Sequence, residues 1–185
     1  MLIFFEIISL LLLATMLFWI AFVFLFTHRL FSMFFRGEAP FVPCNMKKLV
    51  EISDELELKE NNILYDLGSG DARVLVACFR KQPKAKYVGF EKDIIPYLWS
   101  KLRLWRMGIL KNIKIYRRDF FNEDLSKATH VFTYLGPKQM EKLEAKFEKE
   151  LTRGAKLVSL KFKMPNKPNE QKKESAAKEL FVYNF

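Results

Sequence analysis

Twenty-two of the 25 residues from Leu2 to Phe26 are apolar, and no charge falls between Ile7 and Thr27. As a helix rising about 1.5 Å per residue, the run reaches roughly 37 Å, enough to cross a hydrocarbon core of about 30 Å with some tilt. It has no polar face to turn toward water, and an apolar helix of this length is hard to bury in a chain of 185 residues. A cleaved signal peptide would want a basic start, a shorter apolar stretch and a small-residue cleavage site. Here the first charge is Glu6, the stretch is long, and Phe26 to Phe35 offers no such site. The run predicts one uncleaved transmembrane anchor over 1–28, a linker over 29–43 and a single domain over 44–185. Arg29, Arg36, Lys47 and Lys48 follow the anchor and only Glu6 precedes it. The positive-inside rule then puts the domain on the cytoplasmic side, or on the matrix side of an organelle.

Almost all the charge lies outside the anchor. Residues 31–185 carry 30 Lys and Arg against 20 Asp and Glu, the whole +10 of the chain. A tethered domain this basic would be held against anionic headgroups. A nucleic-acid partner is the competing reading, since charge alone does not separate phosphodiester from lipid phosphate. Two cysteines, Cys44 and Cys78, exclude a disulfide framework and a multi-cysteine zinc site, and the isolated His28 and His130 argue against a histidine metal site.

Beyond the anchor, strand and helix patterns alternate. Gly37, Pro40 and Pro43 punctuate the linker, and Asn45 is placed to cap a helix through about Leu56, with Met46, Leu49, Val50 and Ile52 as its apolar side. Strands are predicted at 63–68, 86–91, 113–119, 129–136, 156–162 and 179–185. Helices are predicted over 71–81, over 94–107 with Ile95, Leu98, Leu102 and Trp105 at helical spacing, and from Pro137 with Met140, Leu143, Phe147 and Leu151 inward. Residues 163–175 read as a loop. This alternation implies an α/β fold, a parallel sheet with helices on both faces, whose ligand sits at the carboxyl ends of the strands near the topological switch point.

The most informative residues fall there. Gly68 and Gly70 lie between the first strand and its helix, where glycine permits a tight turn and close approach of backbone N–H groups to a ligand. A dinucleotide loop would have a third glycine, but Arg73 stands in that place, and Asp66 and Asp71 flank the loop with carboxylates that suit an ammonium and hydroxyls better than a pyrophosphate. Glu91 ends the second strand, 21 residues after Gly70, the spacing of a ribose-binding acid. Asp119 ends the third strand and can accept from an exocyclic amine. The pattern predicts a bound nucleoside; each acid by itself could equally be a helix cap.

DLGSGD (66–71), VGFE (88–91) and RRD (117–119) together resemble a class I S-adenosylmethionine-dependent methyltransferase. With PFVP (40–43), YRRDFF (116–121) and RGAKLVSLKFKMP (153–165), the chain is similar to the small membrane-anchored protein-lysine methyltransferases related to those acting on the ATP synthase c-subunit and the adenine nucleotide translocase. The resemblance implies a Rossmann-like sheet and S-adenosyl-L-methionine as cofactor. It implies that Asp66, Gly68, Ser69 and Gly70 contact the amino-acid part, Glu91 the ribose diol, and Asp119 with the Phe120 backbone the adenine. Pro40 to Pro43, including Phe41, would close over the cofactor and the entering lysine, with Tyr134 and Leu135 near the methyl group. Three departures stand out. Ala72 occupies a usual glycine position, Cys44 and Asn45 replace a hydroxyl residue and proline, and the closing antiparallel hairpin would be incomplete.

The chemistry asks for an amine aligned with the S–CH3 bond and shielded from water. A lysine amine, with a pKa near 10.4, must first lose its proton, which an apolar channel walled by Phe41, Phe120, Phe121 and Tyr134 would favour. YLGP (134–137) stands where methyltransferases of planar amines carry Asn-Pro-Pro-Tyr, which argues against a nucleobase or glutamine target. The expected partners are a bilayer and a membrane-associated protein lysine, without metal or nucleic acid. A lipid, quinone or other membrane-soluble acceptor, and a non-catalytic basic module binding nucleic acid or anionic membrane, are the alternatives.

Overall fold

The computed structural model describes residues 2–36, 44–168 and 179–185. The chain forms two compact units, Met1–Pro40 and Phe41–Phe185. The first is one helix, α1 (Leu2–Arg36), within which Ile3–His28 is apolar and long enough to cross a membrane. Its hydroxyl side chains satisfy themselves along the helix. Ser9 Oγ donates to the Glu6 carbonyl at 2.8 Å, Thr15 Oγ1 to Leu12 at 2.8 Å and Thr27 Oγ1 to Val23 at 2.9 Å. Such back-bonding leaves little polar surface for a lipid environment to reject.

The second unit is built on β1 (Ile63–Leu67), β2 (Lys86–Phe90), β3 (Ile113–Tyr116), β4 (His130–Thr133), β5 (Lys156–Leu160) and β6 (Leu180–Asn184), with α2 (Met46–Leu56) before β1 and α3 (Arg73–Lys81), α4 (Ile94–Arg106) and α5 (Pro137–Glu150) between strands. The sheet order is β3-β2-β1-β4-β5-β6; all neighbours are parallel except β5 and β6, which are antiparallel. Parallel strands covered on both faces can be apolar throughout. Apart from Asp66, β1 follows this, with Leu64 in the core on one face and Tyr65 and Leu67 in the core on the other. On the first face Leu49 and Ile52 of α2 and Leu75 and Cys78 of α3 join Leu64, Tyr87, Ile113 and Val158. On the second face Met140, Leu143 and Phe147 of α5, followed by Leu151, join Leu67, Leu157 and Tyr183, as their spacing predicts.

Asn45 caps α2 as expected, its side chain accepting from the Lys48 N–H at 2.9 Å. Strand pairing is shorter than the β-rich sequence suggests. β3 stops at Tyr116 and β4 at Thr133, because the chain leaves the sheet there to build loops. The segment 163–168 is irregular, as expected, and β6 closes the sheet beside β5.

The apolar stripe read in α4 does not face the core. Ile95, Leu98, Leu102 and Trp105 are all exposed, while Pro96, Ser100 and Leu104 are the buried positions. Ser100 can be buried because its hydroxyl donates to the Tyr97 carbonyl at 2.6 Å. In α2, Met46 and Val50 are likewise exposed, and Ser53 and Leu56 complete the buried side. Periodicity identified these helices, but sheet contact selected the face that turns inward.

Candidate functional site

β1 is the switch point, since β2 and β4 flank it and the strand order reverses there. The register pairs Asp66 with Gly89 of β2 and with Phe132 of β4, so Asp66 lies near the carboxyl end of the central strand. Glu91 follows one residue beyond the Phe90–Tyr116 pair, held by its N–H donating to the Tyr116 carbonyl at 3.0 Å. Asp119 lies three residues beyond β3.

The turn after β1 is tied to β2. The N–H groups of Gly68 and Ser69 both donate to the Phe90 carbonyl at 2.9 Å, and the Gly70 N–H donates to Glu91 Oε2 at 2.8 Å. Gly68 (φ +82°) and Gly70 (φ +54°) take the left-handed backbone that glycine tolerates best. Ala72 takes it too, at φ +63°, which explains why the position suits glycine. A side chain on Gly68 would also meet Leu135 Cδ2 at 3.0 Å.

The structure brings Asp66, Ser69, Gly70 and Glu91 together. Asp66 is buried, and burial raises its carboxyl well above the ordinary value; the charges of Glu91 and Asp71 push the same way. Burial also raises Glu91, although N–H donors from Asp93 and Gly70 work against it. Its Oε1 takes the Asp93 N–H at 2.8 Å, the Lys92 N–H also lowers its carboxyl, and the roughly four lone-pair sites of a carboxylate are not all taken by these donors. Ser69 Oγ is buried with no hydrogen-bond partner among the described residues.

Asp71 behaves differently from its reading as a ligand-facing acid. Arg73 Nε donates to its Oδ1 at 2.9 Å, and the Arg73 and Arg103 guanidinium groups each reach its Oδ2 at 2.6 Å. Burial works to raise this carboxyl, but bonds and charge from Arg73 and Arg103 outweigh it and hold it below the ordinary value. With three donors already attached, Asp71 is a structural anchor. Arg73, the departure from the three-glycine pattern, also donates to the Cys44 carbonyl at 2.7 Å and so ties the start of α2 to the turn.

Asp119 accepts from the Phe121 N–H at 3.1 Å and caps the short 3-10 turn Phe120–Asn122, with Lys92 Nζ 4.0 Å from its Oδ2. The Phe120 and Phe121 rings pack 4.7 Å apart beside the second-face core. Tyr134 and Leu135 diverge: Tyr134 packs on the first-face core and Leu135 is buried in the second. Burial raises the Tyr134 hydroxyl, and nearby Cys44 adds to it; burial and the charge of Asp66 push the Cys44 thiol up to about 11. Phe41 and Pro43, with the rest of 40–43, lie outside the described residues.

Sequence reasoning missed Gly89. A Cβ there would lie 2.7 Å from Ser69 Oγ and 2.7 Å from Ile115 Cδ1, so bare backbone in β2 makes room for the turn. A glycine inside a strand was the available signal.

An adenosyl sulfonium cofactor carrying an ammonium needs an anionic partner, acceptors for a ribose diol and polar groups near its amino acid. Asp66 beside negative neighbours, Glu91 with spare lone pairs and the unpartnered Ser69 hydroxyl match that set.

Residues 66–171 match the profile of the ANTKMT methyltransferase domain. The chain is 32% identical over 127 residues to the lysine N-methyltransferase of the ATP synthase c-subunit from Homo sapiens, covering 69% of this chain and 53% of that protein. It is 30% identical over 125 residues to a protein-lysine N-methyltransferase of Saccharolobus islandicus, covering 68% of this chain and 78% of that one. The chain thus spans about half the length of the mammalian ATP synthase lysine N-methyltransferases it matches. An RNA methyltransferase from Salinibacter ruber, solved with S-adenosyl-L-homocysteine, superimposes with a TM-score of 0.73 at 26% identity, covering 77% of this chain and 93% of that one. The glycine turn, the acids at consecutive strand ends, the sheet order and these likenesses agree that the chain belongs to the ANTKMT methyltransferase domain family.

Proposed function

We propose that this protein is a membrane-anchored methyltransferase that uses S-adenosyl-L-methionine to methylate a lysine of a membrane-associated protein. The observation that carries the cofactor is the meeting of Asp66, Ser69 and Glu91 at the switch point, a buried acidic cluster with an unpartnered hydroxyl. The protein-lysine substrate is supported by the names of the relatives, one of which specifies the ATP synthase c-subunit. The anchor is supported by the apolar length of Ile3–His28 and the self-satisfied hydroxyls of Ser9, Thr15 and Thr27. The basic residues that follow it support a cytoplasmic or matrix orientation.

When bound, the cofactor supplies an electrophilic methyl group on a sulfonium and departs as S-adenosyl-L-homocysteine. Asp66 takes the ammonium, with Gly68, Ser69 and Gly70 shaping the turn around the amino-acid part. Glu91 accepts from the ribose hydroxyls. Asp119 and the Phe120 backbone read the adenine. Tyr134 borders the entry of the lysine. Apolar walls there disfavour the charged ammonium and so increase the fraction of free amine. Leu135 acts from beneath by packing against Gly68.

The test is transfer of labelled methyl groups by the full chain into membranes, followed by separation of protein from lipid. Label should enter protein and be recovered as methyl-lysine by mass spectrometry, and Glu91→Ala should abolish it. Label in the lipid extract would instead mean a membrane-soluble acceptor.

A further inference from the structure

α4 has two sides of opposite character. Pro96, Ser100 and Leu104 meet the rest of the domain, while Ile94, Ile95, Leu98, Trp99, Leu102 and Trp105 form an exposed stripe at helical spacing. The exposure is substantial: 61% for Ile95, 57% for Trp99 and 67% for Trp105. Leu110, four residues past the helix, is also exposed, at 40%. An exposed apolar patch of this size marks an interaction surface.

Charge and side-chain type select the occupant. Between Ile94 and Arg118 there are seven Lys or Arg and no acid. Lys101 and Arg106 border the stripe, and Lys111 lies beside Leu110. Two of the chain's three tryptophans are in the stripe. Indole combines an apolar body with an N–H tip and favours the boundary between headgroups and acyl chains. Apolar and aromatic residues rimmed by cations describe a helix lying in the plane of an anionic membrane surface.

We infer that α4 docks the domain onto an anionic lipid bilayer, with its stripe at the acyl boundary and Lys101, Arg106 and Lys111 at the lipid phosphates. This deepens the membrane-anchored reading and rests on it. Arg103 of the same helix holds Asp71 at the foot of the glycine turn, so the docked helix is also bonded to that turn.

The experiment uses the full chain carrying Trp19→Phe, which leaves Trp99 and Trp105 as the fluorophores. It is reconstituted in phosphatidylcholine vesicles with and without about 30 mol % phosphatidylglycerol, using lipids brominated at shallow or deep acyl positions. In the anionic vesicles, emission should shift to the blue, and shallow bromines should quench it roughly twofold or more. Leu98→Asp with Leu102→Asp should remove that quenching without lowering the melting temperature in detergent, because both side chains are exposed. Protein that floats with the vesicles but keeps water-like, unquenched emission would overturn α4 docking and leave the anchor standing. Protein that does not float would overturn both. Equal quenching without phosphatidylglycerol would overturn the choice of an anionic surface.

Discussion

Two buried carboxylates stand at the two ends of one glycine turn, five residues apart, and their surroundings drive them in opposite directions. Asp71 is clasped by Arg73 and Arg103 and held below the ordinary carboxylate value. Asp66 is buried between negative neighbours and is raised well above it. A protein that wanted only stability would not leave a buried acid in Asp66's position, since burial of an uncompensated charge is costly. The contrast separates an acid that holds the turn in shape from one proposed to take the cofactor's ammonium, and such perturbed groups are where function concentrates.

The largest expected effect breaks the paired acid. Asp71→Asn removes the counter-charge of two guanidinium groups and should cost about 2–3 kcal/mol in denaturant unfolding, below the full buried-pair penalty because both arginines reach solvent. If Asp71→Asn were neutral, the turn would not depend on that cluster.

Gly89→Ala comes next. Its methyl group meets Ser69 and Ile115 at 2.7 Å, and relief must come from moving the turn or the core. A loss of about 1–3 kcal/mol in stability is expected, with weaker binding of S-adenosyl-L-homocysteine by calorimetry.

Asp66→Asn should do the opposite to the fold. It should raise the stability of the unliganded protein by on the order of 1 kcal/mol while weakening cofactor binding by about tenfold or more. The pH dependence follows the same contrast. Asp71, with its carboxyl lowered, supplies stability above the ordinary carboxylate value that is lost as pH falls through the lowered one. Asp66, with its carboxyl raised, favours the fold below the ordinary value, and that contribution is lost as pH rises through the raised one. Binding of the ammonium needs Asp66 ionised, so affinity should strengthen as pH rises through its raised value, and Asp66→Asn should flatten that slope. A wild-type slope that survived in the variant would remove Asp66 from the ammonium site.

The smallest effect concerns the backbone between the acid cluster and α3. Ala72→Gly relieves a left-handed alanine, worth roughly 1 kcal/mol, and loses a buried methyl group worth about 0.8 kcal/mol. Thermal melts should therefore shift by less than about 0.5 kcal/mol in equivalent stability. A large gain would show that strain at Ala72 exceeds the ordinary cost.

Much of this architecture was legible in the order of residues alone. The apolar side of helix α5 reads correctly, because Met140, Leu143 and Phe147 are the only apolar stripe it has, although that pattern does not mark the buried Glu144 beside them. Helix α4 carries a stronger apolar stripe, yet that stripe is exposed. Its inward face is made by a proline, a serine and one leucine, which no hydrophobic pattern marks as core. Surplus apolar residues obscure the inward face when a second partner, here proposed to be lipid, claims one side. Asp71 illustrates the same limit at the site. Its place beside the glycines suggested a ligand contact, but one of its two cations comes from Arg103, 32 residues away on another helix.

The amino-acid sequence by itself determined the anchor-like first helix, the strand–helix alternation, the glycine turn and the acids at the strand ends. These follow from local rules: apolar periodicity, the freedom of glycine and the short chain distance between a strand and its helix. Only the tertiary structure decided which side of α4 faces the sheet, which acid is paired and which is left uncompensated, and why β2 needs a bare backbone at Gly89. Those outcomes depend on groups distant in the chain meeting in a low-dielectric interior, where a few ångströms decide whether a carboxylate finds a cation or another acid.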